Sequence, residues 1–333
     1  MLAQEVIPKR EPQVIAGLIR DNLKTVWLEG KTAKRGQHGK HHGLVEGRLR
    51  VRGDLPDGFA VGVFQPGQTY RCLVRFSNGG QTDDRRRDVR GMAIKLLDVP
   101  GQKLLPGSGP VTEQDFILVD HPTYFTATMA EYAAFNRYFT PMQDLRGNGI
   151  TTGRILAAAW GLAMLWLFHR KTLRAAREFA GRQVGALVSL TYHSTTAYLC
   201  GDGRAVKYKA IGHSPPTAAV DSKDGLRQDL WRVLAEGPAQ FDFGVVVQAD
   251  AEAHPIEDPT VDWGANGADF IKLADLTLFR QSNAPDRDKS AETMRFNPWM
   301  SLPTHRPLGF INRARREIYR AMSDLRRHKS GRP

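Results

Sequence analysis

Apolar residues recur at helical spacing over residues 14 to 29, where Val14, Ile15, Leu18, Ile19, Leu23, Val26 and Trp27 share one side, so the chain is expected to open with an amphipathic helix. The period then changes. "GLVEGRLRVRGDLP" sets Leu44, Val45, Leu49 and Val51 among charges, and "QTYRCLVRFSNGG", "RGMAIKLLDVPG" and "EQDFILVDHP" add strand-like runs closed by turn residues. Helical spacing returns over 129–139 and 154–180. Strands follow in "VSLTYHSTTAYLCGDGRAVKYKAIG", a hairpin turning at Gly201-Asp202-Gly203, and in "FDFGVVVQAD" and "FIKLADLTLF". A last helix, "LGFINRARREIYRAMSDLRRH", comes after a Pro-rich approach.

Strands interrupted by a helical insert and followed by helices predict an α+β fold, with an antiparallel β-barrel core and surrounding helices. Neither a repeat nor a low-complexity linker breaks the pattern. One domain is therefore expected over 1–333: an N-terminal helical arm (1–34), a barrel (35–280) carrying the helical insert 129–182, and a C-terminal segment and helix (281–333). The apolar run "ILAAAWGLAMLWLF", residues 155–168, is too short to span a bilayer and is flanked by Arg154 and "HRKTLRAAR". It is expected as a buried helix; the alternative is peripheral contact with a membrane surface.

Composition narrows the partners. The 333 residues are 41% hydrophobic and 25% charged, as in a globular protein, and 47 Lys+Arg against 35 Asp+Glu leave a formal charge of +12. Such an excess calls for an anionic partner, whether nucleic acid, a membrane surface or an anionic cofactor. No nucleic-acid-binding motif or aromatic platform accompanies the arginines, so nucleic acid is not expected. Cys72 and Cys200 form no CxxC pattern and suit a reducing compartment. The N-terminus "MLAQEVIPKREPQ" lacks the order of a secretory signal, and a cytoplasmic location, with the membrane periphery as its alternative, is expected.

The densest chemistry lies in "RGQHGKHHG", residues 35–43. His38, His41 and His42 are ligand types for zinc or copper, yet no nearby carboxylate or cysteine completes a set. A solvated basic loop is a second reading, and outside the metal reading His41 and His42 are expected at the loop surface or a pocket rim, as His305 is expected to be a loop or edge histidine. In a third, Arg35 holds an anionic group while His38, three residues on, works as a base. Arg75 and Ser77 in "RFSNGG" bring another cation and a hydroxyl able to fix an imidazole tautomer. Near the C-terminus "RREIY" puts Arg315 and Tyr319 on one helical face, with Arg326 two turns further. That helix also reads as a plain basic amphipathic helix, with Ile311, Ile318, Met322 and Leu325 inward and Tyr319 at the boundary.

Taken in order, "RGQH", Arg75-Phe76-Ser77, "RDVRGMAIK", "DFILVDHPTYF" and "YHSTTAYLCGDGRAVKYKA" resemble the catalase family of haem proteins over about residues 35 to 326. The resemblance implies haem b, with His38 as distal acid–base supported by Ser77, and Tyr319 as the axial iron ligand whose phenolate Arg315 hydrogen-bonds. It further implies that Arg35, Arg75 and Arg326 meet the propionates, with Tyr124 and Tyr132 as further cofactor-binding positions. Three departures stand out. Val119-Asp120-His121-Pro122 replaces the family's asparagine-bearing strand end, Gln37 replaces a small apolar residue before the distal histidine, and the sequence stops soon after Arg326. These departures favour a haem peroxidase or hydroperoxide-processing enzyme acting on a peroxide or lipid hydroperoxide. Catalase action on hydrogen peroxide and haem binding without turnover are the alternatives, and a homodimer is the expected assembly.

Overall fold

A computed structural model describes residues 2–29, 32–105, 112–147 and 150–329. The chain opens with α1 (Glu11–Leu23), which ends before Val26 and Trp27, and a short hairpin of β1 (Trp27–Glu29) and β2 (Thr32–Lys34) takes up the rest of the predicted helix. Then come β3 (His41–Val51), β4 (Thr69–Asn78), β5 (Arg90–Leu96) and β6 (Gln114–Val119). The insert holds α2 (Met129–Gly147), α3 (Thr152–Phe168) and α4 (Arg170–Phe179), the last two separated at His169 where one helix was expected. β7 (Thr191–His193), β8 (Tyr198–Leu199) and β9 (Ala205–Gly212) precede α5 (Gly225–Glu236), β10 (Ala239–Val247) and β11 (Phe270–Leu278); α6 (Pro285–Thr293) and α7 (Phe310–Lys329) close the chain. The pattern reading placed no helix over α5, although Leu226, Leu230 and Leu234 carry the helical period and are buried. α6 buries only Ala291 and has no apolar period to find.

Eight strands pair antiparallel in the order β10-β11-β3-β4-β5-β6-β7-β9, and β9 pairs back onto β10. The sheet is thus a closed barrel with no free edge, and β8 rides on β9 outside the ring. Strand alternation decides what fills it. On β4, Tyr70, Cys72, Val74 and Phe76 point into the core; on β5, Met92, Ile94 and Leu96 do; on β6, Phe116 and Leu118. Phe116 packs edge-on against Tyr208 at 4.7 Å and Phe243 at 5.0 Å, so the barrel is packed solid through its middle. Cys72 and Cys200 are buried free thiols, pushed up to about 12 and about 11 by burial, which keeps them protonated.

Lys95 and Asp115, on the opposite alternation, point outward and, with Gln114 at the start of β6, dock the C-terminal segment. Lys95 on β5 reaches Asp115 on β6 at 2.8 Å, and the other oxygen of Asp115 accepts from Asn297 N at 2.8 Å. Gln114 holds Leu302 N at 2.9 Å and Ser301 Oγ at 3.1 Å. The Pro-rich stretch is so laid along β6 and delivers α7, whose Asn312 carbonyl takes the Trp299 indole N–H at 2.6 Å. α7 then packs on α1: Leu18, Tyr132, Phe310, Ile311, Ala314 and Ile318 form one buried cluster, and Arg313 bonds Glu5, Glu11 and Glu257 together. The N-terminal arm is thereby fastened to the last helix.

α3 departs from expectation. It buries only Ala158, Gly161 and Leu165, and its larger apolar residues are exposed. The pattern of residues 155–168 reported hydrophobicity correctly but not which side faces water.

Candidate active site

His38 lies just before β3, at φ 53°, a left-handed conformation uncommon for a residue with a side chain. Two bonds hold it there: His38 N donates to the Gly79 carbonyl at 2.7 Å, and Arg75 Nη2 donates to the His38 carbonyl at 2.9 Å. The ring is turned onto the outer wall of the barrel, with Nδ1 3.0 Å from Ser77 Oγ. Gly91, paired with Ser77 across β4 and β5, makes this possible. A Cβ there would stand 2.7 Å from His38 Nδ1 and 2.8 Å from Ser77 Oγ, so only a glycine leaves the imidazole room.

The wall continues in register from Gly91 to Val119 on β6 and from Val119 to His193 on β7. Val119 therefore lines the outer wall beside the imidazole, while Asp120 alternates the other way and accepts from Arg90 N at 2.6 Å. Asn78, the amide next to Ser77 on β4, points inward, where its oxygen accepts from His42 Nε2 at 2.9 Å and from Arg90, and its nitrogen donates to Asp84 at 2.9 Å.

The three loop histidines part company. His38 faces Ser77, His41 faces Glu292 at 3.3 Å, and His42 is fully buried beside Asn78. They share no point at which one ion could be ligated, and His42 is a core residue rather than the surface or rim group expected. His305 is likewise not an edge residue. It is buried between Val63 N at 3.1 Å and the Tyr208 hydroxyl at 3.1 Å.

Arginines gather around the imidazole from three distant parts of the chain. Arg35 donates to the Ala291 carbonyl at 3.0 Å and the Met294 carbonyl at 2.5 Å; Arg75 Nε shares Ala291 at 3.2 Å; Arg326 reaches the Glu292 carbonyl at 3.3 Å. Burial, then mutual repulsion with Arg75 and Arg326, pulls Arg35 well below its ordinary value. Arg75 is lowered to about 10, with burial the main cause and Glu292 opposing it. Arg326 is lowered too, by burial and by Arg295. One carboxylate, Glu292, thus stands among three guanidinium groups, and it also faces His41. Nothing in the sequence singles out Glu292, one of three acids on the polar helix α6.

On α7, Arg315 hydrogen-bonds Thr196 Oγ1 and Asn312 Oδ1, each at 3.3 Å, and its guanidinium lies 5.8 Å from the centre of the Tyr124 ring. Tyr319 packs with Tyr124 and Tyr132, whose rings meet edge-on at 5.9 Å. Burial raises Tyr124, Tyr132 and, to about 12, Tyr198, so these three phenols stay neutral. Arg315 is itself raised: burial opposes its charge, and Tyr319, Tyr198, Tyr124 and Tyr132 outweigh it. The two halves meet electrostatically. His38 is lowered to about 4 by burial first and then by the charges of Arg75, Arg315 and Arg35, so the last helix bears on the imidazole beside β3.

The positions named from the sequence, His38, Ser77, Arg35, Arg75, Arg326, Arg315, Tyr319, Tyr124 and Tyr132, thus fall in one connected region outside the barrel. Solved structures share the architecture. A fungal catalase aligns with a TM-score of 0.61 at 17% identity over 90% of this chain and 59% of its own. A bacterial catalase gives 0.64 at 18% over 98% and 62%, and catalase A from Saccharomyces cerevisiae 0.65 at 16% over 99% and 67%. The fold is catalase-like. The chain spans about six tenths of the length of the fungal and bacterial enzymes. No protein-family model matches it, and no curated protein is similar.

Proposed function

We propose that this chain binds haem b against the outer wall of the barrel, between His38 and Tyr319, and uses it to break the O–O bond of a peroxide. The observation that carries the reading is the excess of enclosed positive charge. Arg35, Arg75 and Arg326 converge on backbone carbonyls with Glu292 as the carboxylate that offsets their burial. A ligand bringing two carboxylates, as haem does, would relieve that repulsion through bidentate guanidinium pairs. The donor set fits on the other side too, since Tyr319 offers a phenol oxygen one turn from the Arg315 guanidinium.

Haem, when bound, supplies an iron that takes up the peroxide and the electrons that part its two oxygens. The chain supplies the proton movements. At neutral pH His38 is an unprotonated base, and Ser77 on Nδ1 leaves Nε2 for the substrate. Nε2 would accept the proton of one peroxide oxygen and return it to the other as it departs, which requires the tautomer in which Nδ1–H donates to Ser77 Oγ. Val119 gives the wall beside the imidazole an apolar surface. That favours a hydroperoxide with a hydrocarbon chain over hydrogen peroxide.

The test is the absorption spectrum of haem-loaded protein beside Tyr319→Phe, with turnover of hydrogen peroxide and of a fatty-acid hydroperoxide. A tyrosinate-ligated spectrum lost in the variant is expected, with faster turnover of the lipid substrate. A wild type that takes up no haem removes the reading, and turnover confined to hydrogen peroxide removes its substrate.

A further inference from the structure

The helices around the barrel do not all bury their apolar side. α3 buries only Ala158, Gly161 and Leu165, and a Cβ on its Gly161 would come within 2.1 Å of the Tyr138 carbonyl oxygen, so α3 lies against α2 about as closely as backbones can. Most of its large side chains point the other way: Trp160 is 66% exposed, Leu156 65%, Phe168 69%, Leu167 54% and Trp166 53%. This inverts the order that water imposes on a surface helix.

Next to this face lies charge. α4 exposes Arg170, Lys171, Arg174 and Arg177, and the Arg170 guanidinium stacks 4.2 Å over the Trp166 ring. Exposed indoles backed by a row of cations match the headgroup region of a bilayer, where amphipathic rings sit beside lipid phosphates. No helix among the described residues is long and apolar enough to cross a membrane.

We propose that α3 and α4 dock the protein on an anionic lipid surface, α3 lying in the plane of the headgroup–acyl boundary with Trp160 and Trp166 inserted and the α4 cations on phosphates. A second copy of the chain is the other cover for α3. A twofold contact there would set the α4 cations against their own copies, on a chain whose formal charge is +12. Anionic lipid complements both the apolar and the charged part of the surface. The proposal is independent of haem, and binding is read without turnover.

The purified 333-residue protein is sedimented with vesicles of phosphatidylcholine alone or mixed with phosphatidylserine. Binding roughly a hundredfold tighter to the mixed vesicles is expected, about fivefold for each of Arg170, Lys171 and Arg177, with Arg174 discounted for its ion pair with Glu178. Trp160→Ser combined with Trp166→Ser, both at exposed positions, should weaken that binding by about tenfold or more, with far-ultraviolet circular dichroism unchanged. Brominated acyl chains should quench the tryptophan fluorescence of the unaltered protein, a readout that needs no variant. The proposal falls if the wild type stays in the supernatant with mixed vesicles, if bromine leaves the fluorescence unchanged, or if the double serine variant binds as well. It also falls if the serine pair instead dissolves a dimer that does not bind vesicles.

Discussion

Ser77 and Asn78 are neighbours on β4, and strand alternation sends them to opposite sides of the barrel wall. Each meets a histidine from the same short segment. Outside, Ser77 takes one nitrogen of His38, and the surroundings are guanidinium groups with one carboxylate among them. Inside, Asn78 closes a network with His42, Arg90 and Asp84, and Arg90 also reaches the carbonyls of Asp84 and Arg86. Both imidazoles are lowered to about 4, chiefly by burial, so titration does not tell them apart. What separates them is charge: on the inner side Asp84 stands 2.7 Å from Lys40 and bonds Asn78, even though His42 Nδ1 and Arg90 Nε make no hydrogen bond, while the outer side gathers guanidinium groups around one carboxylate. A perturbed pKa alone is therefore a poor guide to function here, and the balance of charge is a better one.

The sharpest way to break this comparison is to remove each histidine side in turn. His38→Ala should lower peroxide turnover by roughly a hundredfold to ten-thousandfold, the usual worth of a positioned general acid–base. The haem absorption band should be retained. Steady-state peroxide consumption by the haem-loaded protein checks it, and a variant as fast as wild type would make the protein a haem binder without acid–base chemistry.

Asn78→Leu should act on stability instead. It leaves His42 and Arg90 short of a buried partner, while Asp84 Oδ1 keeps Lys40 at 2.7 Å, at a cost of about 3 kcal/mol. Urea unfolding reads the loss, and turnover per bound haem should be unchanged. A large drop in turnover with stability intact would mean the two sides are not separate.

Acid should weaken the inner side in a defined window. His42 has a folded value of about 4 against an ordinary 6.5, so the unfolded chain binds its proton first and stability is lost as pH falls from 6.5 to about 4. Asp120 and Asp115 work in the opposite sense. Burial raises each to about 6, so their cost above that pH is relieved as pH falls toward 3.8. His42→Gln removes one of these opposing contributions. Relative to wild type it should gain about 2 kcal/mol between pH 7 and pH 5, measured by urea unfolding at both. An equal difference at the two pH values would show that His42 is not held neutral.

The catalase-like motif "RDVRGMAIK" was legible as a string, but the reasons for its letters were not. Asp88 takes the N–H groups of Gly80 and Gln81, Arg90 seals the inner network, Gly91 gives His38 its space, and Lys95 docks the segment that leads to α7. Each depends on a contact with a residue far away or on the other side of a strand, and no local pattern reports that. The β-barrel was readable because alternation is local. His42 was misplaced because His41 already belongs to β3, and the register shift between His41 and Gly43 turns His42 inward. α3 was misplaced because hydrophobicity measures what water rejects, not what covers it.

The smallest expected effect tests the finest part of the contrast, the hydroxyl on which the outer histidine rests. In the proposed reaction Ser77, whose Oγ lies 3.0 Å from His38 Nδ1, acts through the imidazole by fixing which nitrogen carries the proton. Ser77→Ala should cost about tenfold in turnover, the weight of one hydrogen bond of about 1.4 kcal/mol, and leave haem affinity as it was. A merely structural hydroxyl would be equally well replaced by any small residue. Ser77→Thr, which keeps the oxygen, should therefore restore turnover where Ser77→Cys, of similar size but a weak donor and acceptor, should not. Equal rates for the alanine, cysteine and threonine variants would mean that the crowding of Gly91 and the Arg75 bond to the His38 backbone orient the imidazole alone.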